Sequence, residues 1–220
     1  MFYILGALFF GLTIPYVARR FAKFMPATFA GALVEIFRKE KKLKKYRQTK
    51  LYKKMAWRSV VYGIICAGVT AISYFHFGSF GFGFTVAFVW ILLLLAEIDY
   101  KTMLLPDILT VPLILLGFWA ASSDMGFISV NESALGAVVG YFLPVLVSLL
   151  IVWRKKDAFG GGDIKLLAAV GAWLGVEKLF YVIALASILG LIYGMMKKLK
   201  AMPFGPMIAV SAIVVALGLF

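Results

Sequence analysis

Apolar stretches close to twenty residues long recur about eight times along this chain, and that recurrence restricts the fold more than any single motif. A hydrocarbon slab of about 30 Å needs roughly 20 residues per helical crossing. Backbone amides find no water there, so each span must satisfy its hydrogen bonds internally as a helix. The two-residue alternation of a membrane barrel is absent from the sequence. Composition agrees: 63% of the 220 residues are hydrophobic and 15% charged, against about 45–50% apolar in soluble domains. The expected class is an all-α, polytopic integral membrane protein with about eight transmembrane helices.

The spans are read at 2–18, 59–76, 80–97, 108–123, 133–153, 163–175, 178–196 and 203–220, the sixth being short for a full crossing. The opening MFYILGALFFGL has no basic region ahead of its apolar run, so a retained first span is expected rather than a cleaved signal peptide. The organisation that follows is a first transmembrane helix over 1–18, a basic cytoplasmic or interfacial segment over 19–58, and a polytopic body over 59–220. The body carries aspartate motifs at 97–107 and 160–165. The pairs Gly136/Gly140 and Gly190/Gly194 have the spacing that lets helices approach closely.

A net charge of +13 raises the possibility of nucleic-acid binding, but its placement excludes it: fourteen of the 23 Lys and Arg residues fall between Arg19 and Arg58. Such a juxtamembrane cluster orients the chain and contacts anionic lipid. Within it, FMPATFAGALVEIF reads as a short interfacial helix, and KEKKLKKYRQTKLYKK as a helix on the headgroups or a loop. With the N-terminus outside the cytoplasm, 22 basic residues lie inside and Lys178 alone lies outside. The same assignment puts Asp99 and Asp163 together on the cytoplasmic side, although neither was used to make it.

A carboxylate at a membrane core costs roughly 2.5–3.5 kcal/mol on insertion scales, so one retained there is a functional candidate. Asp99 ends the third span, in Glu97-Ile98-Asp99, and Pro106-Asp107 reads as a helix start at which Asp107 caps the span from Ile108. Gly160-Gly161-Gly162 precedes Asp163, and a side-chain-free run suits a sharp turn or the close passage of an extended peptide. Lys165, two residues on, points about 200° away from Asp163 on a helix, towards a headgroup or a substrate carboxylate. Catalysis by elimination leaves the carboxylates. His76, the one histidine, is expected on the opposite side, and Cys66, the one cysteine, lies mid-span, so no His or Cys relay, disulfide or metal cluster forms. Two carboxylates brought close share a proton; one serves as base on water and the other as acid toward a carbonyl.

Three motifs then carry a resemblance. Glu97-Ile98-Asp99 with MLLPDILTVPLILLG, GGGDIKLLAAVGAWLG, and Pro203-Phe204-Gly205-Pro206-Met207-Ile208-Ala209 closely resemble, in order, those of the bacterial type IV prepilin peptidases. These are Gly-x-Gly-Asp intramembrane aspartic proteases, and the resemblance runs from about residue 85 to 215. It implies that Asp99 and Asp163 are the catalytic pair. Gly160, Gly161, Gly162, Pro106 and Lys165 are then candidates for the active-site loops. It further implies an enzyme of the bacterial inner membrane, cutting the basic leader from prepilins or pseudopilins at the cytoplasmic face, in type IV pilus or type II secretion systems. Larger members carry two Cys-x-x-Cys pairs, thought to bind zinc, and N-methylate the new N-terminus. This chain lacks both pairs, which excludes that zinc site; no cofactor is expected, and S-adenosylmethionine enters only if methyl transfer is retained. The competing readings are a small proton- or cation-coupled secondary transporter, and a membrane scaffold acting through its basic segment. The acids lie at one edge rather than the midplane, which argues against the first; the second leaves both aspartate motifs unexplained.

Overall fold

The computed structural model describes residues 2–23, 45–77, 82–123, 126–152, 160–197 and 202–218. Among these the chain is helical, without strands: α1 (Phe2–Lys23), α2 (Lys45–Phe77), α3 (Phe82–Thr102), α4 (Asp107–Ser122), α5 (Val130–Val152), α6 (Gly161–Lys197) and α7 (Gly205–Ala216). Among the described residues five helices are long and apolar enough to cross a membrane, and α4 and α7 are shorter apolar helices, so the chain is a multi-pass membrane protein. The proposed interfacial helix FMPATFAGALVEIF and the lysines from Lys39 to Lys44 lie outside the described residues. From Lys45 onward the basic segment runs without a break into the second span as one 33-residue helix.

α6 is one helix in name only. Gly175, with φ 78° and ψ 178°, breaks it where the sequence ends its sixth span. That backbone conformation is essentially confined to glycine, so the turn between the two arms depends on this residue. The first arm is shorter than a bilayer crossing, as the sequence suggests.

α3 is the central helix, buried along most of its length. One side receives the α1–α2 hairpin; the other receives α4 and α7. α6 packs against α4, α5 and α7, its first arm meeting α4 through Trp173 and α5 through Gly171. Helices in lipid gain no hydrophobic drive from meeting, so close backbone packing has to hold them. A Cβ on Gly136 would lie 2.1 Å from the Gly171 carbonyl oxygen, and one on Gly140 would lie 2.5 Å from that of Leu167. α5 therefore lies directly on the α6 backbone, as the Gly136/Gly140 spacing suggests. Gly190 and Gly194 differ: they face Met202 and Phe204, residues leading into α7, rather than a parallel helix surface. Away from the aspartates, Trp173 stacks on Phe88 at 4.8 Å and donates its indole N–H to the Leu113 carbonyl at 2.8 Å, pinning α6 to α3 and α4. Alternating chain direction brings the end of α3 and the starts of α4, α6 and α7 to one end of the bundle.

Candidate active site

Asp99 occupies the last full turn of α3 and is only 4% exposed. Its Oδ2 accepts a hydrogen bond from the backbone N–H of Gly205 at 2.9 Å. That amide lies in the first turn of α7, where helical N–H groups have no carbonyl partner within the helix and attract anions. Contact is so close that a Cβ on Gly205 would meet the same oxygen at 2.8 Å. Only a glycine lets α7 start against the carboxylate. Sequence reasoning gave Gly205 no role; the signal was its place in the third motif, directly before a proline.

Asp163 sits in the first turn of α6 and is half-buried. The turns that bear the two aspartates lie at one end of the bundle, although 64 residues separate them in the chain. The three glycines before Asp163 divide their work. A Cβ on Gly162 would strike Leu105 Cβ at 2.8 Å; one on Gly161 would meet nothing within 4 Å; one on Gly160 would reach 3.0 Å from Asp163 Oδ2. None of the three has positive φ, so close approach at Gly162, rather than a tight turn, is what glycine provides.

The connection from α3 to α4 has no regular secondary structure over residues 104–106 and carries Leu105 onto Gly162. It opens with Met103 at φ 54°, whose N–H bonds the Asp99 carbonyl at 2.8 Å. Left-handed backbone at a side chain other than Gly or Asn costs roughly 1–2 kcal/mol, a cost met here next to the site. Pro106 is the N-cap of α4, extended at φ −74° and ψ 131°, and no side chain caps the helix. Asp107 therefore does not serve as the expected cap. Its carboxylate instead accepts two hydrogen bonds from Lys165 Nζ, each 2.7 Å. Lys165 points away from Asp163, as its spacing requires, but to a protein carboxylate.

A second carboxylate escaped sequence reasoning. Glu97 is fully buried, paired with Arg58, bonded by the Tyr62 hydroxyl at 2.8 Å and bridged by Lys101 at 2.9 Å. Lys101 also donates to the Pro15 carbonyl at 3.1 Å, and Arg58 lies 5.1 Å from the centre of the Tyr100 ring. Arg58 thus turns inward to Glu97, unlike a headgroup-facing residue of the basic segment. The cluster ties α1 and α2 to the turn of α3 that bears Asp99. α2 carries His76 eighteen residues beyond Arg58, towards the other end of the bundle.

The sequence profile of the type IV leader peptidase family matches residues 86–195, which contain both aspartates. Three similar proteins each bear the name prepilin leader peptidase/N-methyltransferase. The one from Dichelobacter nodosus is 36% identical over 159 residues, 70% of this chain and 55% of that protein. For Xanthomonas campestris pv. campestris the identity is 36% over 165 residues, 69% of this chain and 54% of that protein. For Escherichia coli K12 it is 34% over 171 residues, 74% and 75% of the two chains. This chain therefore spans about half the length of the first two and three quarters of the third. No solved structure matches it.

Proposed function

This chain belongs to the type IV leader peptidase family, and from that premise we propose that it is a membrane-embedded aspartic endopeptidase acting on prepilins or pseudopilins. The observation that supports this best is that the turns bearing Asp99 and Asp163 lie together at one end of the bundle, one carboxylate held by a helix-start amide and the other beside open space at Gly161.

In this reading one carboxylate takes a proton from a water molecule as it attacks the scissile carbonyl, while the other protonates the carbonyl oxygen. When the C–N bond breaks, the proton taken from water passes to the leaving amine, and the second carboxylate takes a proton back from a hydroxyl of the tetrahedral intermediate. Substrate is a basic leader ending in Gly, followed by a hydrophobic helix, presented at the cytoplasmic face of the bacterial inner membrane. A role in pilus assembly or type II secretion follows from that substrate class. Hydrolysis so arranged requires neither metal nor organic cofactor, and methyl transfer is no part of the proposal. The test is cleavage of a prepilin-derived peptide by the full chain in detergent, with Asp99→Asn and Asp163→Asn alongside. A transporter or a scaffold would cut nothing.

The basic segment is assigned to anionic headgroups, each Lys or Arg contributing about 1 kcal/mol near the surface. A basic leader would be repelled by it. Neutralising Lys41, Lys42, Lys44 and Lys45 together should disturb membrane orientation and spare cleavage in detergent. Correct insertion with lost cleavage would move the segment into the substrate site.

A further inference from the structure

The two aspartate turns share a detail that hydrolysis itself leaves unused. Each aspartate is followed two positions later by a lysine, in Asp99-Tyr100-Lys101 and Asp163-Ile164-Lys165. Two steps along a helix turn about 200°, so each lysine leaves the face that carries its aspartate. Both meet a carboxylate there: Lys101 meets Glu97 at 2.9 Å, and Lys165 meets both oxygens of Asp107 at 2.7 Å.

The second pair joins different elements. Asp107 opens α4 and Lys165 lies in the opening turns of α6. A helix start favours an anion and disfavours a cation, so Asp107 suits its own helix and Lys165 does not. The lysine's position makes sense through its partner. At 61% and 38% exposure these side chains form a pair of a kind that adds little to stability. What the pair does hold is geometry. Together with Leu105 on Gly162, it pins the connection leaving Asp99 to the turn bearing Asp163 at two points.

We infer that Asp107 and Lys165 are positioning residues that set the separation of the two aspartates by clamping the start of α4 to the start of α6. Neither touches the reacting atoms. This rests on the peptidase reading above, and the controls keep the two apart.

The experiment measures kcat and KM for cleavage of a prepilin-derived peptide by the full chain in detergent. Its variants are Asp107→Asn, Lys165→Met, the two combined, and Lys165→Arg, with Asp163→Asn as control. Each single removal should lower kcat about tenfold with KM unchanged within about twofold, because a small misplacement of catalytic groups is costly. The combined variant should be no worse than the poorer single one, since both break one interaction. Lys165→Arg, which keeps charge and reach, should retain activity within about threefold of wild type, and melting should shift by less than about 4 °C. A rise in KM confined to Lys165→Met would give the lysine to the substrate and overturn the inference. So would unchanged activity in both single variants, multiplied losses in the combined variant, an arginine variant as poor as methionine, or a melting drop above about 10 °C. A wild-type chain that cuts nothing, or an Asp163→Asn variant that cuts normally, sinks the peptidase reading first and the clamp with it.

Discussion

Asp99 and Asp163 reach the same site by opposite routes. Asp99 ends a long central helix, is nearly inaccessible, and has Gly205 pressed against it and the Glu97 cluster behind its turn. Asp163 begins a short helical arm, is half-buried, and follows Gly161, which faces open space. One carboxylate is locked by its surroundings; the other lies beside a glycine that faces open space. The contrast extends to the ion pairs. Glu97 sits at 0% exposure with several partners, whereas the Asp107–Lys165 pair is open to solvent on both sides.

If both carboxyls react, the contrast vanishes at the chemical step. Asp99→Asn and Asp163→Asn should each lower cleavage by on the order of 10³-fold, the scale of general acid–base catalysis. The wild-type pH profile should be bell-shaped, since the working pair holds one proton: acid adds a second and removes the base, alkali takes the first and removes the acid. Activity surviving in either variant would leave a single-carboxylate mechanism.

The next test separates the buried pair from the open one. Glu97→Gln leaves Arg58 and Lys101 without their buried counter-charge and should destabilise the chain by about 3–5 kcal/mol, read as a melting drop in detergent. Asp107→Asn should change stability by no more than about 1 kcal/mol. Equal shifts would remove the distinction between the two sides.

Gly205→Ala probes the locked carboxylate. Its new methyl must displace Asp99 or α7, and about 10²-fold in kcat should be lost, as expected for a shift near 1 Å. Full activity would mean that the α7 amide is dispensable. The smallest expected effect belongs to the open side: Gly161→Ala should stay within about twofold of wild type, while Gly162→Ala, driven onto Leu105, should lose about tenfold. Reversal of that order would place the substrate path over Gly161.

The membrane class, the run of helices, the division of α6 at Gly175 and the two aspartate turns were all legible along the chain. These features are local: span length, glycine and a carboxylate beside an apolar run are legible within twenty residues. The sequence did not reveal which face of each helix meets a partner. In lipid both faces are apolar, so the amphipathic pattern that marks a buried side in water carries no such mark here. It took the packing of the helices to show that Arg58 answers Glu97 across 39 residues, that Lys165 answers Asp107 across 58, and that Gly205 meets Asp99 across 106. Those contacts arise where separately encoded helices end together, and a helix end is fixed by what it packs against.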